Sequence, residues 1–246
     1  LNYDFIKLKV LDVYKTCNVQ SFPIDCFEIY ERYDLKAHPY STLKEPLKSY
    51  CYNMSDDSFI YEHTICFNDD DSYPIGRIRF SLMHELGHHV LKHSTNRTES
   101  EEIEANIFAS HILAPRLVIH YADCKNCNDV ASIFDLSIEA ASIAFDDYRK
   151  WRRKFAAHKL SCADKLTYYY FYDSNQDLFI WKQTVCPACG KTAYNTLDNI
   201  CSKCSHVTKQ IKVIEKLSYM RTSNENLLQD ENFKKAERNW LYGDCY

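Results

Sequence analysis

The chain reads as an α+β protein in two parts. A mainly helical, metal-bearing domain spans residues 1–157, and a small β-rich, cysteine-bound domain with a C-terminal helix spans 158–246. Three observations carry this division. Two helical segments place histidines and acids at one-turn spacing: His84, Glu85 and His88 in "SLMHELGHHV", then Glu102 and Asn106 in "EEIEANIFASHIL". Near residue 160 the character shifts to the aromatic and β-branched run "KLTYYYFYDSNQDLFIWKQTV". Cys186, Cys189, Cys201 and Cys204 then follow as C-x₂-C, eleven residues, C-x₂-C.

The elements follow in order. Residues 3–17 form an amphipathic helix with Ile6, Val10, Val13 and Cys17 on one stripe. In "SFPIDCFEIYERY", Ser21 is a cap candidate and Pro23 lies near a helix start. Residues 59–68, "FIYEHTICFN", are β-branched and aromatic and read as strand. Pro74 opens the next helix, because the first helical position needs no N–H donor. That helix runs from Ile75 to His93. After the loop "TNRTES", residues 101–113 form a second helix, with acids at the end its dipole favours and Pro115 as its stop. Two further helices meet at Leu136–Ser137, with Ser137 as N-cap. From 165 a β-hairpin turns at Asp173–Asp177. Past the cysteines come strand-like "VTKQIKVIE", a polar stretch over 221–230 and a final amphipathic helix over 231–242.

Composition removes several classes of function. With 46% hydrophobic and 26% charged residues, the chain can bury a sizeable core and stay soluble. Only four glycines are present and no phosphate-cradling motif is among them. A net charge of −4 draws the molecule neither to nucleic acid nor to anionic lipid. No apolar run approaches the ~20 residues of a membrane span. The first residues, "LNYDFIKLKVLDVYK", mix charges into every turn and do not read as a signal peptide. A cytoplasmic location is therefore expected, where the twelve cysteines are metal ligands or buried thiols.

His84 and His88 lie four apart on one helical face, so both imidazoles can meet one ion. Zinc takes nitrogen ligands at ~2.0–2.1 Å, and a catalytic site keeps three protein ligands. Glu85 is rotated by 100° from His84, poor for ligation but within reach of a water beside the metal. This is the H-E-x-x-H logic of two ligands plus a general base. Glu102 is the preferred third ligand, because Asn106 lies one turn on and can hold a ligating imidazole by its other nitrogen. Glu101 has Ala105 at that offset and Glu104 has Phe108, so both read as a solvated helix start. Gly87 costs the helix up to ~1 kcal/mol against Ala, a cost that a close neighbour would explain. His89 and His93 form another i, i+4 pair, rotated away from the ligands, and read as surface or supporting groups. Tyr61, His63 and His93 are nearby polar groups, none assignable as an oxyanion donor.

"RFSLMHELGHHVLKH" followed by "EEIEANIFASHILAP" resembles the ImmA/IrrE family of metallopeptidases, with Glu102, Ala105, Asn106, Phe108, Ala109, Leu113 and Pro115 matching its second helix in order. "DVASIFDLSIEAASIAF" resembles the helix pair that follows, so the likeness covers roughly residues 1–155. His111 departs from the residues usual at its position and reads as structural. The resemblance implies a thermolysin-like zincin core and a catalytic zinc. It also implies a narrow substrate: a phage-type helix-turn-helix repressor, cleaved to switch on a mobile element or a stress response.

The four cysteines from Cys186 to Cys204 resemble a zinc ribbon, a closed structural zinc site. Cys124 and Cys127, with His120 before them, lack a fourth ligand and read as thiols. "RKWRRK" (149–154) follows a helix pair, but the second helix opens on "SIEAASIAFDD", without a base where DNA contacts would sit. Direct nucleic-acid binding is not expected. The chain thus reads as a zinc endopeptidase with one catalytic and one structural zinc. The alternative is a non-catalytic, metal-bearing regulatory protein acting on a repressor or on DNA.

Overall fold

A computed structural model describes residues 2–206 except 62, 71, 73, 95, 158 and 159. The strand expected at 207–215 and the helix expected at 231–242 lie outside the described residues. The architecture is α+β, with many helices and three small sheets among the described residues. It divides into two compact units, Leu1–Gln183 and Thr184–Tyr246.

The first unit opens with α1 (Tyr3–Thr16), capped by the Asn2 side chain. Its expected stripe, Ile6, Val10, Val13 and Cys17, is buried. Helix α2 (Cys26–Arg32) is capped by Asp25, which accepts from the N–H groups of Phe27 and Glu28. Ser21, the expected cap, instead accepts from the Gln183 N–H at 2.8 Å. Strand β1 (Lys36–Pro39), helix α3 (Leu47–Met54), β2 (Ser58–Tyr61) and β3 (Thr64–Phe67) follow. The single strand expected over 59–68 is therefore two strands that pair antiparallel, Ser58 opposite Phe67. On its other side β3 pairs parallel with β1, Lys36 opposite Thr64. The sheet order is β1-β3-β2.

Helix α4 (Ile75–Leu91) packs against this sheet and against α5 (Glu99–Leu113). Leu82, Met83 and Leu86 of α4 and Phe108, Ala109 and Ile112 of α5 are buried in the main core. Two buried tyrosines pin the pair from behind. Tyr30 of α2 donates to the Leu82 carbonyl, and Tyr14 of α1 donates to the Ile112 carbonyl at 2.8 Å. Arg79, also buried, donates to the carbonyls of Ile24 and Phe134. Helices α6 (Arg116–Tyr121), α7 (Cys127–Phe134) and α8 (Ile138–Ala157) complete this layer. The α7–α8 turn matches expectation: Ser137 accepts from the Ala140 N–H at 3.1 Å.

The hairpin expected from 165 is mostly a helix, α9 (Cys162–Phe171), followed by the two-residue strands β4 (Tyr172–Asp173) and β5 (Leu178–Phe179). Local β propensity is overridden here by capping and packing. Ser161 caps α9 at the Asp164 N–H, and the Asp164 carboxylate accepts from Lys7 Nζ and Trp151 Nε1, both at 2.9 Å. Phe171 packs edge-on against Tyr14 of α1. Phe171, Phe179 and Trp181 belong to the main core, and the first compact unit runs to Gln183. No helix among the described residues is long and apolar enough to cross a membrane.

Gly76, at the start of α4, is required by a close approach. A Cβ there would lie 2.6 Å from the Ser137 backbone nitrogen and 3.1 Å from the Leu136 carbonyl carbon. Backbone cannot swing aside as a side chain can. Gly76→Ala is therefore expected to lower unfolding stability by about 1–3 kcal/mol, outweighing the ~1 kcal/mol that Ala adds to helix propensity. Urea denaturation checks this; an unchanged or raised midpoint would contradict it.

Candidate metal centre

Helix α4 sets two imidazoles one turn apart, with Nε2 of His84 and Nε2 of His88 separated by 3.0 Å. Helix α5 brings Glu102 to the same point. Its carboxylate oxygens lie 3.2 Å from His84 Nε2 and 3.5 Å from His88 Nε2. The approach depends on Gly87, where a Cβ would meet Phe108 Cδ1 at 3.1 Å and Ala105 Cα at 3.3 Å. The N-terminus of α5 is fixed by a capping box. Thr98 Oγ1 accepts from the Glu101 N–H, and the Glu101 carboxylate accepts from the Thr98 N–H at 2.8 Å. These backbone donors, with that of Ser94, pull the Glu101 carboxyl down to about 2. Glu101 thus caps the exposed helix start, and Glu102 projects from the next position round.

The residues fit a divalent cation. Asn106 Oδ1 lies 3.0 Å from His84 Nδ1 and can only accept, so that nitrogen donates, which in the neutral ring leaves His84 Nε2 with a lone pair. Burial pushes His88 down to about 3, with the Arg97 charge acting the same way, so its ring is neutral. Two imidazole nitrogens and a carboxylate then converge with at most one proton among them. A cation satisfies all three. In a tetrahedral zinc site with bonds of ~2.0–2.1 Å, neighbouring nitrogen and oxygen ligands stand about 3.3–3.4 Å apart. The observed separations of 3.0, 3.2 and 3.5 Å bracket that spacing.

Glu85 stands beside this group without joining it. The set able to meet one ion is His84, His88 and Glu102. Glu85 is only 3% exposed and faces Arg97, whose Nη2 donates to Oε2 at 2.7 Å. Burial raises the Glu85 carboxyl, and the Arg97 hydrogen bond and charge act in the opposite direction. Arg97 is a group that sequence reasoning missed, because a lone arginine in "TNRTES" carries no spacing signal.

Residues 35–146 match the family model of peptidase M78, described as the IrrE N-terminal-like domain. Over that segment the chain is similar to an IrrE N-terminal-like domain. No curated protein matches the chain. The matched M78 segment contains His84, Glu85, His88, Glu102 and Asn106, and the metallopeptidases of this family are zinc-dependent.

The second cysteine cluster lies outside the M78 segment, in the unit from Thr184. Cys186, Cys189, Cys201 and Cys204 bring their sulfurs within 4.8 Å of one another. Strands β6 (Gln183–Val185) and β7 (Thr192–Tyr194) flank the first pair. The knuckle between them closes through the Gly190 N–H to the Cys186 carbonyl and the Cys186 N–H to the Lys191 carbonyl, both at 2.8 Å. Gly190 takes φ +69°, a region that glycine enters without strain. Cys189 and Cys201 stand 3.7 Å apart, far beyond a disulfide of ~2.05 Å but close to the ~3.8 Å expected between thiolates of one tetrahedral zinc. Backbone N–H groups, that of Cys201 first, pull Cys186 down to about 6, which favours a thiolate. Cys124 and Cys127 join no such group among the described residues.

Glu102→Ala is expected to weaken zinc binding at the histidine site by more than about a hundredfold, beyond the loss typical of supporting groups. Glu101→Ala is expected to keep that affinity and instead lower unfolding stability through loss of the helix cap. Chelator competition on each variant checks this; tight binding retained by Glu102→Ala would contradict the assignment.

Proposed function

We infer that the chain is a zinc-dependent endopeptidase that cleaves a phage-type helix-turn-helix repressor, derepressing a mobile element or a stress response. The observation that carries the peptidase reading is Glu85: a buried carboxylate next to two convergent imidazoles but outside the ligand set. A purely structural site has no use for it. His84, His88 and Glu102 would hold the metal, and Asn106 would orient His84. Zinc bound there supplies a Lewis acid that polarises a peptide carbonyl and makes water acidic enough to attack near neutral pH.

Glu85 does the proton transfer. Its carboxylate accepts the proton of the attacking water and returns it to the amine that leaves. Burial raises its pKa, while the Arg97 hydrogen bonds and charge favour the ionised, proton-accepting form. The surrounding helices and sheet support a thermolysin-like zincin core. The paired knuckles and the β6–β7 ladder support a structural zinc ribbon beyond it. Such thiolate ligands persist in a reducing cytoplasm. The repressor as substrate rests on the resemblance of the two motif helices to the ImmA/IrrE family.

One observation favours a second reading. Both terminal nitrogens of Arg97 already face the Glu85 carboxylate, at 2.7 and 3.4 Å. A base permanently capped in this way would leave a metal-bearing regulator that binds a repressor without cutting it.

Glu85→Gln separates the two. It preserves volume and removes the base, so it is expected to fold, hold its zinc and bind the repressor, with cleavage slowed about 10²–10⁴-fold. His84→Ala is expected to lose the metal of this site together with activity. The assay mixes each variant with a helix-turn-helix repressor encoded beside the gene and looks for fragments. Wild type and Glu85→Gln equally inert on every candidate, with both altering its DNA binding, would favour the regulator.

A further inference from the structure

Helix α4 ends two residues short of the expectation, and the way it ends brings a third histidine onto the metal centre. Lys92 takes a left-handed conformation, φ +59°, and its N–H bonds the carbonyls of the last turn. The His93 N–H then returns to the His88 carbonyl at 3.0 Å. This is the paired closure of a helix C-terminus that usually employs glycine; a lysine there costs roughly 1–2 kcal/mol of backbone strain. The result is that His93, rather than pointing away as a helical partner of His89, folds back over His88. The two Nδ1 atoms stand 2.9 Å apart. On the far side, His93 Nε2 lies 3.3 Å from Glu104 Oε2 of α5. The His93 side chain is 5% exposed.

We propose that His93 and Glu104 are positioning residues that set the tautomer of the metal ligand His88. The proton order follows from the partners. A carboxylate only accepts, so His93 Nε2 carries a proton and donates to Glu104. In neutral His93 this leaves Nδ1 as a lone pair. His88 Nδ1 must then carry the proton of the 2.9 Å contact and donate it. His88 Nε2 is left as a lone pair, turned toward His84 Nε2 and Glu102. The two ligand imidazoles are thus oriented by different devices. His84 is held by one amide, Asn106, and His88 by an imidazole backed by a carboxylate. Glu104, expected as a solvated acid, acts through His93, which places a negative charge two hydrogen bonds from the ligand and raises its basicity.

This inference rests on the zinc site described above, and the experiment separates the two. The metal is zinc itself, added to the full chain, with affinity read by chelator competition. The four-cysteine site serves as internal control. Wild type that takes up no zinc at the histidine site refutes the site. Given wild-type binding there, His93→Ala is expected to lose about 10–100-fold in affinity at that site and none at the cysteines. Glu104→Leu is expected to lose at least about tenfold, while Glu104→Gln, which keeps an accepting oxygen, stays within about threefold of wild type. Should His93→Ala prove unstable, the Glu104 pair decides alone. A second readout is independent of affinity: nitrogen-15 shifts of zinc-loaded wild type should show neutral His93 protonated on Nε2 only. Undiminished affinity in His93→Ala or Glu104→Leu, or His93 protonated on both nitrogens, would overturn the proposal.

Discussion

The close approach of α4 and α5 at Gly87 is the constraint on which the metal centre depends. At Gly87 the neighbouring helix presents Ala105 and Phe108, so the two axes lie near enough for a short carboxylate to bridge them. Glu102 sits one turn before Asn106; its carboxylate faces both imidazoles, and the Asn106 amide holds His84. A wider separation would leave Glu102 short of His88 and free Asn106 from His84 together. The buried hydroxyls of Tyr14 and Tyr30, bonded to the Ile112 carbonyl near the end of α5 and the Leu82 carbonyl in the middle of α4, tie the two helices to α1 and α2.

A partner for each polar group explains why these groups tolerate burial. Glu85 and His88 are nearly inaccessible, yet each has a partner: Arg97 for the carboxylate, His93 for the imidazole. Unpartnered, a buried carboxylate or imidazole would cost several kcal/mol or change its protonation state. The loop from His93 to Thr98 supplies both partners. It also provides the Ser94 N–H and the Thr98 cap that fix Glu101. The seven-residue connection from Lys92 to Thr98 therefore ends one motif helix, starts the other and supplies partners to the buried groups between them.

What was legible in the sequence is what depends on helical periodicity alone. His84 with His88, and Glu102 with Asn106, are i, i+4 pairs, and their roles could be read without any tertiary information. The two C-x₂-C knuckles belong to the same class of local signal. What was not legible depends on contacts across the fold. On a helix continued past Leu91, His93 would stand off the ligand face; the cap at Lys92, which no glycine marks, turns it onto His88. Glu104 and Arg97 acquire partners only once the loop has turned back. The tyrosine-rich run at 168–172 has strand composition, but the Ser161 cap and the Asp164 network recruit most of it into a helix against α1. The compact unit consequently reaches Gln183.

The central claim is that α4 and α5 together form a three-ligand site with Glu85 outside it. Anomalous diffraction at the zinc edge, on crystals of the zinc-loaded full chain, tests this most directly. The account requires a zinc peak bounded by His84 Nε2, His88 Nε2 and a Glu102 oxygen at ~2.0–2.2 Å. Glu85 should lie beyond bonding distance. A peak coordinated by Glu85, or by neither histidine, would contradict the account.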